Sequence, residues 1–377
     1  MSLKRLRSIL DAQDGAAKIS SLAWSPNNLK LAVATADRTI LLFDEAGERK
    51  DKFSTKPADP KYGKKSYQVK AIAFSPDSTK IAIGQTDNMI YVYKIGDEWG
   101  EKKVICNKFA QSSQVTCLIW PTDGPIVFGL REGKVRAANI KTNKSQTLYQ
   151  TDSYVVSLVP NLRGTGFLAG HADGAVVRFY VADDPNAVQQ GKVINHPVPP
   201  YAMAWTNNSI LIAGCDKRIV VYNRNGKLMQ TFDHSKDPTE SEFTTMVCSP
   251  SGQTVLLGSY DRMRAYEYSS ARDSWDEKGT KEFSNLYSIT ALGWKRDGSR
   301  VACGTLCGAV ELFDSVLRRS VWKNKWEMVY TGPSQVLVKP LNGASGPHGT
   351  QGIIVRSQYG FEIHDVRIMG QDRYLVA

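Results

Sequence analysis

The sequence predicts an all-β fold made of one repeated unit, on three observations. Short β-branched and aromatic runs recur along the whole chain. Turn residues such as Pro, Asp, Asn and Gly bound them. The runs return at a nearly constant spacing. The unit is plainest in "VKAIAFSPDSTKIAIGQTDNMIYVYK", residues 69–94. "VKAIAF" reads as a first strand. "SPD" is a turn signal, because Pro presets φ and Asp bonds its own backbone. "KIAIG" is a second strand, "TDN" a second turn and "MIYVYK" a third strand.

Seven copies align. The first begins at Ile19 ("ISSLAWSPNNLKLAVATADRTILLFD") and the second at Val69. The third, from Val115, reads "VTCLIWPTDGPIVFGLREGKVRAAN". The fourth starts at Val155 ("VVSLVPNLRGTGFLAGHADGAVVRFY") and the fifth at Pro200 ("PYAMAWTNNSILIAGCDKRIVVYN"). The sixth, from Phe243, is "FTTMVCSPSGQTVLLGSYDRMRAYEY". The seventh, from Ile289, is "ITALGWKRDGSRVACGTLCGAVELFD". The first strands end at Trp24, Phe74, Trp120, Pro160, Trp205, Cys248 and Trp294, 40 to 50 residues apart. The turns before the third strands carry Asp37, Asp87, Glu132, Asp173, Asp216, Asp261 and Cys307, each 11 to 13 residues later. A repeat of ~40–45 residues with three or four strands matches a seven-bladed β-propeller of WD40 type. Inner strands of such a blade are covered on both faces, which accounts for the weak polar alternation in "KIAIG" and "YVVSLV". The first-strand aromatics are expected near the axis, buried between blades. Pro160 cannot donate to a ladder, so the fourth first strand is expected to end there.

The copies are degenerate. None ends its third strand in Trp-Asp, and "LFD" at 42–44 and 312–314 comes nearest. Only the fourth has Gly-His before its aspartate turn, at Gly170, His171 and Asp173. A turn-locking role for His171 outweighs a catalytic one. The turn aspartates are expected to bond local amides rather than to act as acids or bases.

A propeller must also join its last blade to its first, since a free sheet edge invites aggregation. "LKRLRSIL", residues 3–10, has no partner in its own copy, and it is expected to supply the outer strand of the seventh blade. The competing reading is a short basic amphipathic helix with Leu3, Leu6 and Leu10 on one side. Eight residues are marginal for an isolated helix.

Composition excludes several classes. The chain has 377 residues, 42% hydrophobic and 23% charged, the profile of a soluble globular protein. No apolar run approaches the ~18 residues a bilayer span needs. The opening "MSLKRLRSILDAQDG" is too short in apolar core for a signal peptide, so secretion is not expected. The six cysteines are scattered and read as buried free thiols of a reducing compartment. "CGTLC" has no second pair or nearby His and is not a zinc site. No phosphate loop, nucleophile elbow or metalloprotease helix is present. The channel-facing strands "SSLAW", "KAIAF", "TCLIW", "VSLV", "YAMAW", "TTMVC" and "TALGW" are small and apolar, with no convergent carboxylates or histidines. No enzyme, cofactor or metal is expected, and nucleic-acid signatures are missing.

The net charge of +11 points to an acidic partner or surface. On one face lie the links between blades and the turns between second and third strands. The longest link, "TKPADPKYGKKSYQ" at 55–68, carries Lys56, Lys61, Lys64 and Lys65 with Tyr62 and Tyr67. Arg38, Lys217, Arg218 and Arg262 fall on the same face, so a basic plate is one reading and plain solvation the other. "LRRSVWKNKW", 317–326, sets Arg318 and Arg319 beside Trp322 and Trp326. That pattern suits a protein interface or a lipid headgroup region, or packing within a sheet.

Longer runs carry a resemblance. "KISSLAWSPNNLKLAV", residues 53–109, "YVVSL", "NLYSITALGWKRDGSRVACGTLCGAVELFD" and "LRRSVWKNKWEMVYTGPSQV" closely resemble the N-terminal propeller of the largest subunit of the intraflagellar transport B complex. The similarity covers essentially the whole chain. It implies a first propeller at 1–324 and the beginning of a second, truncated at the chain end, at 325–377. It implies a scaffold of the trains that move cargo along cilia or flagella, also present in the cytoplasm near the basal body. Implied partners are other complex B subunits, including a calponin-homology domain. The expected function is a non-enzymatic protein-interaction platform for ciliary assembly. The alternative is an anionic membrane-surface binding module.

Overall fold

The computed structural model describes residues 3–12, 17–59, 67–121, 124–180, 190–283, 287–341, 352–358, 361–369 and 374–376. No helix occurs among them. Seven antiparallel four-stranded sheets stand around a common axis. Their innermost strands are Ile19–Trp24, Val69–Phe74, Val115–Ile119, Val155–Pro160, Ala202–Trp205, Thr245–Cys248 and Ile289–Trp294. Each touches the next, and the last touches the first, so the ring is closed.

The second strands are the most buried. "KLAVAT", "IVFGL", "GFLAGH", "SILIA" and "TVLLG" are covered at every position, because a neighbouring blade lies on each face. Fourth strands meet solvent and alternate, as in "RKDKFS" at Arg49–Ser54. Glycines near the ends of second strands let adjacent blades interlock. A Cβ on Gly84 would meet Val115 at 2.7 Å, and one on Gly304 would meet Ile19 at 2.5 Å. The side chain opening one inner strand thus fills the gap in the preceding blade. Trp24, Phe74, Trp120, Trp205 and Trp294 are all at most 9% exposed. The fourth inner strand does end at Pro160.

The ring closes through the N-terminus. Lys4–Leu10 pairs antiparallel with Val310–Asp314, from Lys4 opposite Asp314 to Leu10 opposite Val310. It is a strand rather than the alternative helix, because pairing satisfies a row of backbone groups that an isolated helix of this length could not secure. Arg5 donates from Nε and Nη2 to both oxygens of the buried Glu311 at 2.7 and 2.8 Å.

An eighth four-stranded sheet lies outside the ring: Arg318–Trp322, Trp326–Gly332, Gln335–Pro340 and Ile353–Arg356. Its first two strands form one hairpin, with Lys323 and Asn324 at positive φ in the turn. The expected division at 324/325 therefore cuts a hairpin, and the new sheet begins at Arg318. The sheet leans on the first-to-second-strand turns of blades six and seven. Ser334 Oγ donates to Gln253 Oε1 at 2.8 Å, and Gln335 Nε2 donates to the Asp297 carbonyl at 3.0 Å.

Three histidines lock turns to tyrosines. His171 is fully buried, with Nε2 3.0 Å from Tyr149 Oη and Nδ1 2.9 Å from the Ser153 carbonyl oxygen. His196 Nδ1 is 3.0 Å from Tyr222 Oη, and His234 Nε2 is 3.0 Å from Tyr266 Oη. Burial pushes His196 and His234 below the usual imidazole range, and Arg264 lowers His234 further. Their folded pKa values lie beneath the unfolded ~6.5, so the unfolded chain binds more protons in between. Stability should be fully present above pH ~6.5 and decline as pH falls toward the lowered values. Denaturant midpoints between pH 7.5 and 5 should show this decline, and His196→Gln should flatten it. An unchanged slope in that variant would remove His196 from the account.

Candidate interaction surfaces

The channel wall is built by the inner strands, and their small residues keep it open. Ser20, Ser21, Ser157, Thr245, Thr290 and Ala291 face the space near one mouth. Ser157 Oγ donates to the Pro200 carbonyl at 2.6 Å, and Thr290 Oγ1 donates to the Ile19 carbonyl at 2.7 Å. These hydroxyls tie blade to blade. Among the described residues no group of three His, Cys, Asp or Glu side chains is arranged to hold a metal. The turn aspartates are structural. Asp87 Oδ2 accepts from the Ala58 amide at 2.7 Å, and Asp173 Oδ1 from the Ala175 amide at 3.0 Å. The cysteines are all free, but Cys106 and Cys215 are exposed rather than buried.

The described residues of the expected basic plate differ in exposure and pairing. Lys56 is exposed, whereas Lys61, Tyr62, Lys64 and Lys65 lie outside the described residues. Arg38 folds down over the ring of the buried Tyr67, 5.5 Å from its centroid. Tyr67 in turn donates to the Thr55 carbonyl at 2.8 Å, which anchors both ends of the long link. Lys217 is half-buried at positive φ, and Arg218 is exposed but pairs with Asp233 at 3.1 Å. Arg262 is 7% exposed and answered by Asp261 at 2.9 Å and Glu282 at 3.9 Å.

Arg318 and Arg319 belong to the eighth sheet. Arg318 lies 3.9 Å from the Tyr330 ring centroid and donates to the His364 carbonyl. Arg319 pairs with Asp314 at 2.7 Å and Glu327 at 3.2 Å. Trp322 and Trp326 both pack against that sheet's core.

A collar of tyrosines went unread in the sequence. Tyr154, Tyr201 and Tyr287 stand one or two residues before an inner strand and are 44%, 47% and 51% exposed. Tyr260 stacks edge-on against Tyr287 at 5.8 Å, and exposed Leu306 joins them. The signal was present: "SYQV", "SYVV", "PYAM" and "LYSI" repeat a tyrosine at the blade entry. Exposed tyrosines offer rigid contact area at low entropic cost, the chemistry of a protein-binding patch.

Closed blades, an N-terminal closing strand and aromatic-ended inner strands define a WD40-repeat β-propeller. The family model described as "WD domain, G-beta repeat" matches residues 4–44 and 61–94. A chain of the crystal structure of the mitotic checkpoint complex superposes with TM-score 0.66. It covers 82% of this chain and 91% of its own length at 19% identity, and so shares the fold. Intraflagellar transport protein 172 homolog of Mus musculus is 62% identical over 377 residues, all of this chain. Intraflagellar transport protein osm-1 of Caenorhabditis elegans is 44% identical, and intraflagellar transport protein 172 of Chlamydomonas reinhardtii 41%, again across the whole chain. Over its whole length the chain is similar to the N-terminal WD40 propeller region of intraflagellar transport protein 172. It spans 21% of the length of these relatives.

Proposed function

We propose that this propeller is a non-enzymatic interaction platform of the intraflagellar transport machinery. It docks other train subunits, a calponin-homology domain among them, in the cilium or flagellum and near the basal body. The observation that carries this reading is the pairing of a channel wall tied blade to blade with exposed tyrosines at three blade entries, Tyr201 of them lining the channel space. The eighth sheet, with Trp322 and Trp326 packed against its core, is read as the opening blade of a second propeller. The exposed Lys56, continuing into the lysine-rich 61–65 stretch, is taken to steer an acidic subunit toward the collar.

Co-elution of the chain with purified train subunits tests this. Tyr154→Ser with Tyr201→Ser should weaken binding by about tenfold or more, as for aromatic anchors at interface centres. Lys56→Glu, Lys61→Glu, Lys64→Glu and Lys65→Glu together should slow association mainly at low salt, where charges act beyond ~10 Å. Stability should change by less than ~0.5 kcal/mol in both. Unaltered binding in both variants would remove this face from the platform.

A further inference from the structure

The opposite mouth of the channel is built differently, and its chemistry points to a ligand. It opens as a recess of about 510 Å³. Trp24, Phe74, Trp120, Trp205 and Trp294 form its sides. Pro26, Pro121, Pro160 and Pro250 belong to its rim, where prolines offer no N–H to water. Leu162 adds an exposed apolar side chain, 39% accessible.

Three cations stand on this apolar surface. Arg163 follows the fourth inner strand, Arg296 follows the seventh, and Arg356 ends the last strand of the eighth sheet. All three are exposed. Among the described residues no carboxylate pairs with any of them, and no acidic side chain lines the recess. Arg356 is held by Gln335, which accepts from its Nε at 2.9 Å. Partial desolvation of the guanidinium and then the like charge of Arg296 both lower its proton affinity. Arg5, Arg262, Arg264 and Arg319, by contrast, each pair with a carboxylate. Three unanswered guanidinium groups converging on an apolar recess form a site complementary to anionic groups flanking an apolar one.

We infer that this mouth binds an acidic peptide segment of a partner protein, seating an apolar side chain among the tryptophans and its carboxylates on Arg163, Arg296 and Arg356. The eighth sheet completes the site by leaning Arg356 over the opening, so the first ring alone would bind more weakly. A flat anionic membrane fits less well, because the tryptophan-lined surface is recessed and the eighth sheet stands beside it. The inference rests on the platform reading for the kind of ligand, but it concerns the face opposite the tyrosine collar.

Selection of random dodecamer peptides on the immobilised 377-residue chain tests it, followed by titration of the enriched peptide with tryptophan fluorescence. Enriched sequences should be rich in Asp and Glu around a Leu, Phe or Trp, and binding should shift the emission. Arg163→Glu with Arg296→Glu should weaken binding about tenfold, the sum of two modest ion pairs. Arg356→Glu should act in the same direction, while Lys217→Glu with Arg218→Glu on the other face should leave binding unchanged. Failure of enrichment, enrichment of basic peptides, or indifference to the arginine reversals would overturn the inference. So would phosphatidylserine vesicles that compete fully with the peptide. Because train subunits are absent from this assay, its failure leaves the co-elution result standing on its own.

Discussion

Deleting residues 1–10 is expected to unzip the seventh blade and drive the chain into aggregates. The strand Lys4–Leu10 covers Val310–Asp314, and without it that strand becomes an open edge with a row of unpaired backbone groups. Ile9 and Leu10 leave the cluster they share with Val310, Leu312 and Phe43. Glu311, 5% exposed with the strand in place, loses both hydrogen bonds from Arg5 as its cover is removed. Light scattering and a thermal melt should show early association and a lowered midpoint. A synthetic peptide of residues 1–12 added in trans should restore both in part, since the groove it fills is preformed. A truncated chain that melts like the parent would show that the ring does not depend on this closure.

Glu240→Ala is expected to produce the largest loss from a single side chain. Glu240 sits in the link between blades five and six, and its side chain has no exposure. Its Oε1 accepts from Ser259 Oγ at 2.7 Å, and its Oε2 accepts from Arg264 Nε at 2.6 Å. Arg264 also reaches Glu277 at 2.5 Å. Removing the buried carboxylate leaves a 9%-exposed guanidinium with one close anionic partner, at a cost of about 3 kcal/mol or more. Pairing Glu240→Ala with Arg264→Met should recover much of that loss, because no buried charge is then left alone. Glu277→Ala, at the partly exposed end, should cost about 1 kcal/mol. Urea titrations of the four chains separate these outcomes. Equal midpoints for the parent and Glu240→Ala would mean that the link is held by other contacts.

The fold was legible because its signals are local and repeated. "SPD" and "WSP" mark turns by the residues themselves, and Trp24 to Trp294 fall in register because each blade meets the same neighbours. Closure by Lys4–Leu10 was also legible, since an unpaired strand needs an edge and only one edge was free. The start of the eighth sheet at Arg318 was not, because the Lys323–Asn324 turn looks like a linker until its two strands are seen to pair. The surface was the least legible part. Whether Arg262 points outward or into Asp261 and Glu282 depends on residues from other strands. Glu240 and Arg264 meet across a link and a strand, and the only trace in sequence is an arginine inside the run "RMRAYEY". The unanswered trio of Arg163, Arg296 and Arg356 joins three distant segments, and no spacing announces it.

The central claim is that this propeller region docks train subunits through its faces. Size-exclusion chromatography of the purified 377-residue chain, mixed one by one with subunits of intraflagellar transport trains, tests it most directly. The account predicts a shifted peak containing both proteins with at least one subunit, lost in Tyr154→Ser with Tyr201→Ser. Separate elution from every subunit at low salt would contradict it.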